Sequence, residues 1–317
     1  MKKLTQFFSF FFFVFVTSSC MEQLSSESPK TMQQIQDEQK LVFLSNGPAN
    51  GLAPSAIIEA SKTLFYSMQI NYYSVKLRSE MFETSIQKLR NSPDKEFGAS
   101  VSKLLDSGAF DKILPITKTS PNGRVSVESA LNSEEITKAL NSKDVSGNTR
   151  KYLSEFNKEL KNATEEAIKQ PEKKPTELVR AAISKLESKA IEDVSLTKEE
   201  KEIIFSYTIP TRDNVESFAK TANNMYAGSK TACWLCSIVN AIFTIVIAVA
   251  VVTVIGSVIG LAGGIAGALV GAAIGAQIGY YIAVGLISSN DCIVIADYGQ
   301  QLNNGSFGFL DVVIGPC

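Results

Sequence analysis

The chain has 317 residues, of which 45% are hydrophobic; 31 Lys and Arg stand against 32 Asp and Glu, giving a net charge of -1. That balance leaves no basic footprint for nucleic acid, so no nucleic-acid partner is expected. There is no histidine, which excludes His-based acid–base catalysis, His metal ligands and Ser-His or Cys-His nucleophile pairs.

Taken in chain order, Lys2 and Lys3 precede an apolar run from Leu4 to Val16, followed by Thr17-Ser18-Ser19-Cys20. A positive start, a short hydrophobic run and small residues at the cut predict a secretory signal peptide over 1–19. The small residues just before Cys20 resemble a bacterial lipobox, although Thr17 stands where an aliphatic residue is usual. The resemblance implies that Cys20 becomes the first mature residue and carries lipid. Residues 20–50 are polar and Gln-rich and read as a tether.

Residues 51–230 hold most of the charge and predict a helical extracytoplasmic domain. From Pro54, apolar residues recur at Ile57, Leu64, Met68, Val75, Phe82, Ile86 and Leu89, which predicts one long helix ending at Ser92-Pro93. A shorter helix follows through Leu105. Ile113–Val127, with its Pro121-Asn122-Gly123 turn, predicts strand or irregular chain, and Ser133 begins a further helix. Tyr152, Phe156 and Leu160 mark a helix over Asn148–Gln170. After the Pro171–Pro175 linker, Thr176 is expected to cap Glu177–Asp193, with Leu178, Ala182, Ile183 and Leu186 inward. Thr197–Glu200 and Asp213–Glu216 have the form of capping boxes, and Gly228 of a helix stop.

The most informative stretch is Leu235–Ile287, with no charge between Lys230 and Asp291. Crossing ~30 Å of hydrocarbon takes roughly 20 apolar residues, so this run suits two crossings. The natural break is Leu261-Ala262-Gly263-Gly264, which predicts helices over Leu235–Ile259 and Ile265–Ile287, each about 35 Å long. The first is rich in Ile and Val. The second carries Gly267, Gly271, Gly275 and Gly279, preceded by Gly256, Gly260 and Gly264. Spacing of four places each row on one helix face, where another backbone can approach closely. Trp234, Tyr280 and Tyr281 are expected at one interfacial end.

The glycine rows resemble the two-crossing, glycine-zipper segments of small bacterial envelope lipoproteins, and also the glycine-rich hairpins of pore-forming bacteriocin-like peptides. The first resemblance implies an exported protein anchored in the bacterial envelope, at the outer membrane, with the bilayer and a second copy met through the glycine face as partners.

Cys233 and Cys236 form a C-x-x-C motif, and Cys292 and Cys317 follow. An exported chain with this even set is expected to form disulfides. A hairpin brings Cys233 and Cys236 near Cys292, so the first pair should bond with Cys292 and Cys317, in an order left open. Thiol–disulfide chemistry and a four-thiolate zinc site fit the spacing less well. Cys292–Ala296 and Phe307–Ile314, separated by Asn304-Gly305, predict a small β-hairpin tail. No motif identifies a reaction, a cofactor or a metal.

The fold expected is therefore mainly α: a helical domain, an apolar glycine-zipper hairpin over 231–290 and a disulfide-linked β tail over 291–317. The function expected is that of a non-enzymatic envelope lipoprotein whose hairpin inserts in or associates with a membrane. The alternatives are a secreted pore-forming protein whose helical domain masks the hairpin, and a soluble binding protein with the hairpin as its core.

Overall fold

A computed structural model describes residues 43, 45–68, 75–110, 145–170, 173–226, 234–297 and 311–316, and among these described residues there are nine α-helices and two strands. The fold is mainly α. In chain order the helices are α1 (Ser55–Met68), α2 (Val75–Arg90), α3 (Lys95–Asp106), α4 (Gly147–Lys169), α5 (Pro175–Glu192), α6 (Lys198–Asp213), α7 (Val215–Tyr226), α8 (Trp234–Gly260) and α9 (Gly264–Ser288). A single 3-10 turn, Leu261–Gly263, joins α8 to α9. Strands β1 (Asp291–Asp297) and β2 (Asp311–Pro316) pair antiparallel, with Ile293 opposite Ile314 and a bulge between Ile295 and Asp297.

The apolar hairpin α8–α9 is the centre of the molecule. Helix α9 is flanked by α1, α2 and α3, and α8 by α4, α7 and β1; α6 packs against both. Helix α5 lies outside, on α4, α6 and α7. Apart from α6, the surrounding helices each turn one apolar face inward. Ile57, Leu64 and Met68 of α1, Ile86 and Leu89 of α2, and Tyr152, Phe156 and Leu160 of α4 are all buried. They belong to the same cluster as the hairpin's own aliphatic side chains. From Phe43 onward the chain is one compact unit, so the helical segment and the hairpin, expected as successive domains, share a single core.

Several local expectations change. The helix expected from Pro54 to Ser92 is two helices, which meet where Ser67 and Ser85 share a 2.6 Å hydrogen bond. Both bury a face on the same core, so the three-and-four periodicity continues across the break, and residues 69–74 carry neither Gly nor Pro to mark it. Helix α5 begins at Pro175, which occupies its first turn, with Lys174 as N-cap. Thr176 is therefore inside the helix and buried. Proline suits that position because the missing N–H would have had no intrahelical partner. The inward face of α5 is Val179, Ile183, Leu186 and Ala190, while Leu178 and Ala182 lie at its margin.

Thr197 and Glu200 form a reciprocal capping box at the start of α6. Asp213 ends α6 instead of capping α7, and its carboxylate is engaged by Arg212. Among the described residues, α6 is the surrounding helix buried on every side over its last ten residues before Asp213, from Ile203 to Arg212, with Pro210 inside it. The expected elements at Ile113–Val127 and Ser133, the stop at Gly228 and the turn at Asn304-Gly305 lie outside the described residues, as do 1–19 and most of the tether; the end of the expected tether, 45–50, is instead part of the folded body, where Ser45 and Asn50 bond Asp213 and Arg212.

Replacing Thr197 by Ala removes the acceptor for the Glu200 N–H. The variant should lose about 1 kcal/mol of stability, read as a lower urea midpoint at unchanged slope.

Candidate functional site

The candidate site is the hairpin together with the surface that covers it. Its geometry begins with glycine. Gly256 faces Gly271, and Gly260 faces Gly267, so closely that a Cβ at any of the four would overlap the opposing carbonyl oxygen. Gly275 packs in the same way on Val252 and Thr253, and Gly279 on Ala248 and Val249. The two helices therefore touch backbone to backbone along the hairpin. The glycine face expected to receive a second copy is occupied by the hairpin's own other arm.

Gly264 departs from this set. Its φ of 72° and ψ of -163° lie in a region that only glycine adopts readily, and a Cβ there would meet nothing within 4 Å. It turns the chain into α9 and takes no part in helix packing.

Away from the glycine seam, the hairpin is covered by the surrounding helices. Ser237–Ser288 is long and apolar enough to cross a membrane, and 89% of its apolar window is buried inside the protein. The uncovered part is the tip, where Ala262, Gly263, Gly264 and Ala266 are exposed.

The polar contacts between hairpin and cover gather on one turn of α9. Gln277, 2% exposed, lies two residues from both Gly275 and Gly279. It therefore points away from the glycine seam. Ser67 Oγ of α1 donates to Gln277 Oε1 at 3.1 Å. Gln277 Nε2 is buried and has no hydrogen-bond partner. One turn further on, the hydroxyls of Tyr280 and Thr221 of α7 share a bond at 3.2 Å. The Tyr281 ring tilts against Phe82 of α2, centroids 5.4 Å apart. The two tyrosines expected at a membrane interface thus contact α7 and α2. The one amide in the glycine-rich second arm was the sequence signal for this turn, and glycine periodicity overshadowed it.

At the other end, the tail closes on α8. The Ile293 N–H donates to Thr244 Oγ1 at 3.0 Å. Asn290, with φ 60°, makes the tight link from α9 to β1. Cys292 is fully buried and disulfide-bonded, and its partner lies outside the described side chains. Cys236 lies in the first turn of α8. Cys20, Cys233 and Cys317 are outside the described residues.

A second polar centre holds the start of the described chain to the cover. Arg212 is 2% exposed and pairs with Glu187, which is fully buried, and with Asp213. Its Nη2 also donates to Asn50 Oδ1, and Ser45 Oγ donates to Asp213 Oδ2 at 2.9 Å. Burial raises the Glu187 pKa above the ordinary carboxylate value; the Arg212 guanidinium pulls it the other way and does not outweigh the lost hydration. Among the described residues, no group of three His, Cys, Asp or Glu comes together as a metal site. Compared with protein families, with curated proteins and with solved structures, the chain matches none.

Three outcomes test this description. Gly256→Ala and Gly271→Ala should each cost about 1–3 kcal/mol by overpacking, whereas Gly147→Ala, where a Cβ meets nothing, should leave the unfolding midpoint in place. Arg212→Met should cost roughly 3–5 kcal/mol, because it leaves the Glu187 carboxylate buried without its partner. Because Glu187 binds its proton more tightly in the folded than in the unfolded chain, its contribution favours folding at acid pH and is lost as pH rises through the raised value. Wild type should therefore gain stability relative to Glu187→Gln as pH falls from about 7 toward the usual carboxylate range of ~4.3, as measured by urea unfolding at each pH.

Proposed function

We propose that this chain is a non-enzymatic, exported envelope lipoprotein that stores a membrane-inserting hairpin inside a sheath of amphipathic helices. Lipid at Cys20 would anchor it in the outer membrane, with the polar segment after Cys20 as tether. Disulfides among Cys233, Cys236, Cys292 and Cys317 would fasten the tail to the open end of the hairpin.

The observation that carries this reading is the division of labour within the hairpin. Its two arms are held together by backbone contacts at glycine, in which the sheath takes no part. Its outward aliphatic faces are covered by side chains of the sheath. At about 1.5 Å per residue, the 27 residues of α8 and the 25 of α9 each reach across a bilayer. In water the outward faces need the sheath, because exposing them is costly. In hydrocarbon they need nothing, and close packing at glycine keeps the arms paired. The hairpin is thus a unit that suits either surrounding. Its uncovered, uncharged tip offers a starting point for entry. The sheath helices other than α6, apolar on one face, suit the membrane–water boundary once the hairpin has left.

One observation favours a second reading, a soluble binding protein with the hairpin as permanent core: the hairpin is largely buried. The two readings separate in a Cys20→Ala variant exported through an ordinary signal peptide and purified without detergent. Added to dye-loaded vesicles of phosphatidylethanolamine and phosphatidylglycerol, a stored hairpin should resist alkaline carbonate extraction, protect residues 235–287 from protease and release dye. A protein that stays monodisperse in solution and leaves the vesicles intact has a permanent core, and the membrane reading fails.

A further inference from the structure

We propose that Gln277 is the self-association point of the membrane-inserted hairpin, pairing amide to amide with Gln277 of a second copy. This deepens the membrane reading above and rests on it.

The first reason is which surface remains free. The glycine rows face each other inside the hairpin, so a second copy must be met on another face. Gln277 is on the opposite side of α9 from Gly275 and Gly279, on the face that the sheath covers. The second reason is depth. Gln277 lies at the middle of α9, so in a spanning helix it stands near the centre of the hydrocarbon, where no water can reach it. It is also the one Asn or Gln in that helix. An amide there has two donors and one acceptor carbonyl to satisfy.

The third reason is that the soluble fold uses this side chain poorly. Nε2 is buried without a partner. Oε1 shares a single hydroxyl proton, because Ser67 Oγ is also 2.8 Å from the carbonyl of Thr63. A buried donor with no acceptor destabilises the folded state, and leucine would fill the same space without that cost. A residue that serves the closed protein badly suits a second setting. Two glutamines facing each other across a two-fold axis supply each Nε2 with an Oε1 and each Oε1 with a donor. A mid-helix position meets its own copy whether the two hairpins lie parallel or antiparallel.

The test compares wild type with Gln277→Leu as full chains labelled with donor or acceptor dye, in vesicles of phosphatidylethanolamine and phosphatidylglycerol. Energy transfer is followed on dilution with lipid, beside protease protection of 235–287. In solution Gln277→Leu should be at least as stable as wild type. In vesicles it should be protected to the same extent but associate about three- to tenfold more weakly. Protected Gln277→Leu that associates as tightly as wild type overturns the proposal, as does protected wild type that is monomeric; both leave the membrane reading standing. Wild type that is never protected overturns both.

Discussion

The structure depends on one constraint: a run of some fifty residues without a charge must be kept from water on every side. Glycine meets that need along one face of each arm. With no Cβ at Gly256, Gly260, Gly267, Gly271, Gly275 and Gly279, the arms close until backbone touches backbone. That close approach removes the seam from solvent without any other element. The other faces, crowded with valine and isoleucine, need a cover, and helices α1–α4, α6 and α7 and strand β1 provide it, with α5 behind them. The cover is built from segments that would be poor structures alone. Most are amphipathic with a buried face defined by the hairpin; α5 packs instead on α4, α6 and α7, and α6 is buried on nearly every side from Ile203 to Arg212.

The seam and the cover differ in kind. Contacts across the seam are backbone to backbone and cannot be made by a different partner without breaking the hairpin. Contacts between hairpin and cover are mostly aliphatic side chains, which hydrocarbon of any origin can replace. The hydrogen bonds seen at that boundary, such as Ser67 to Gln277, Thr221 to Tyr280 and the Ile293 N–H to Thr244, join neutral groups. The charged centre formed by Glu187, Arg212 and Asp213 lies within the cover, joining α5, the end of α6 and the loop around Asn50. The cover is thus held to itself by charge and to the hairpin by apolar contact. That separation gives the storage reading its physical content.

Much of the hairpin was legible in the sequence. The break at Leu261–Gly264 follows from paired glycines and from the length of the run, and the arms end within a residue or two of the expected places. The capping box at Thr197 and the burial of Tyr152, Phe156 and Leu160 were legible for the same reason, since capping and periodicity are local. The split between α1 and α2 was not legible, because both helices point the same periodicity at one core and no breaker residue separates them. The cap of α5 was misplaced because threonine is the better capping residue, whereas Pro175 sets the first turn. Gly264 looked like one of a row, yet only its backbone angles distinguish a turn glycine from a packing glycine.

By itself the sequence determined that this chain is mainly helical, that its centre of gravity is an uncharged hairpin, and that glycine allows the two arms to meet. These follow from period, length and the absence of a side chain, which neighbours in space cannot alter. Only the tertiary structure decided what lies around the hairpin. An aliphatic helix surface satisfies lipid and protein interior equally, so composition alone does not choose between them. The folded chain shows the protein interior: the glycine rows closed on each other, Gln277 facing the sheath, and the described helices gathered around a hairpin that a bilayer would also accept.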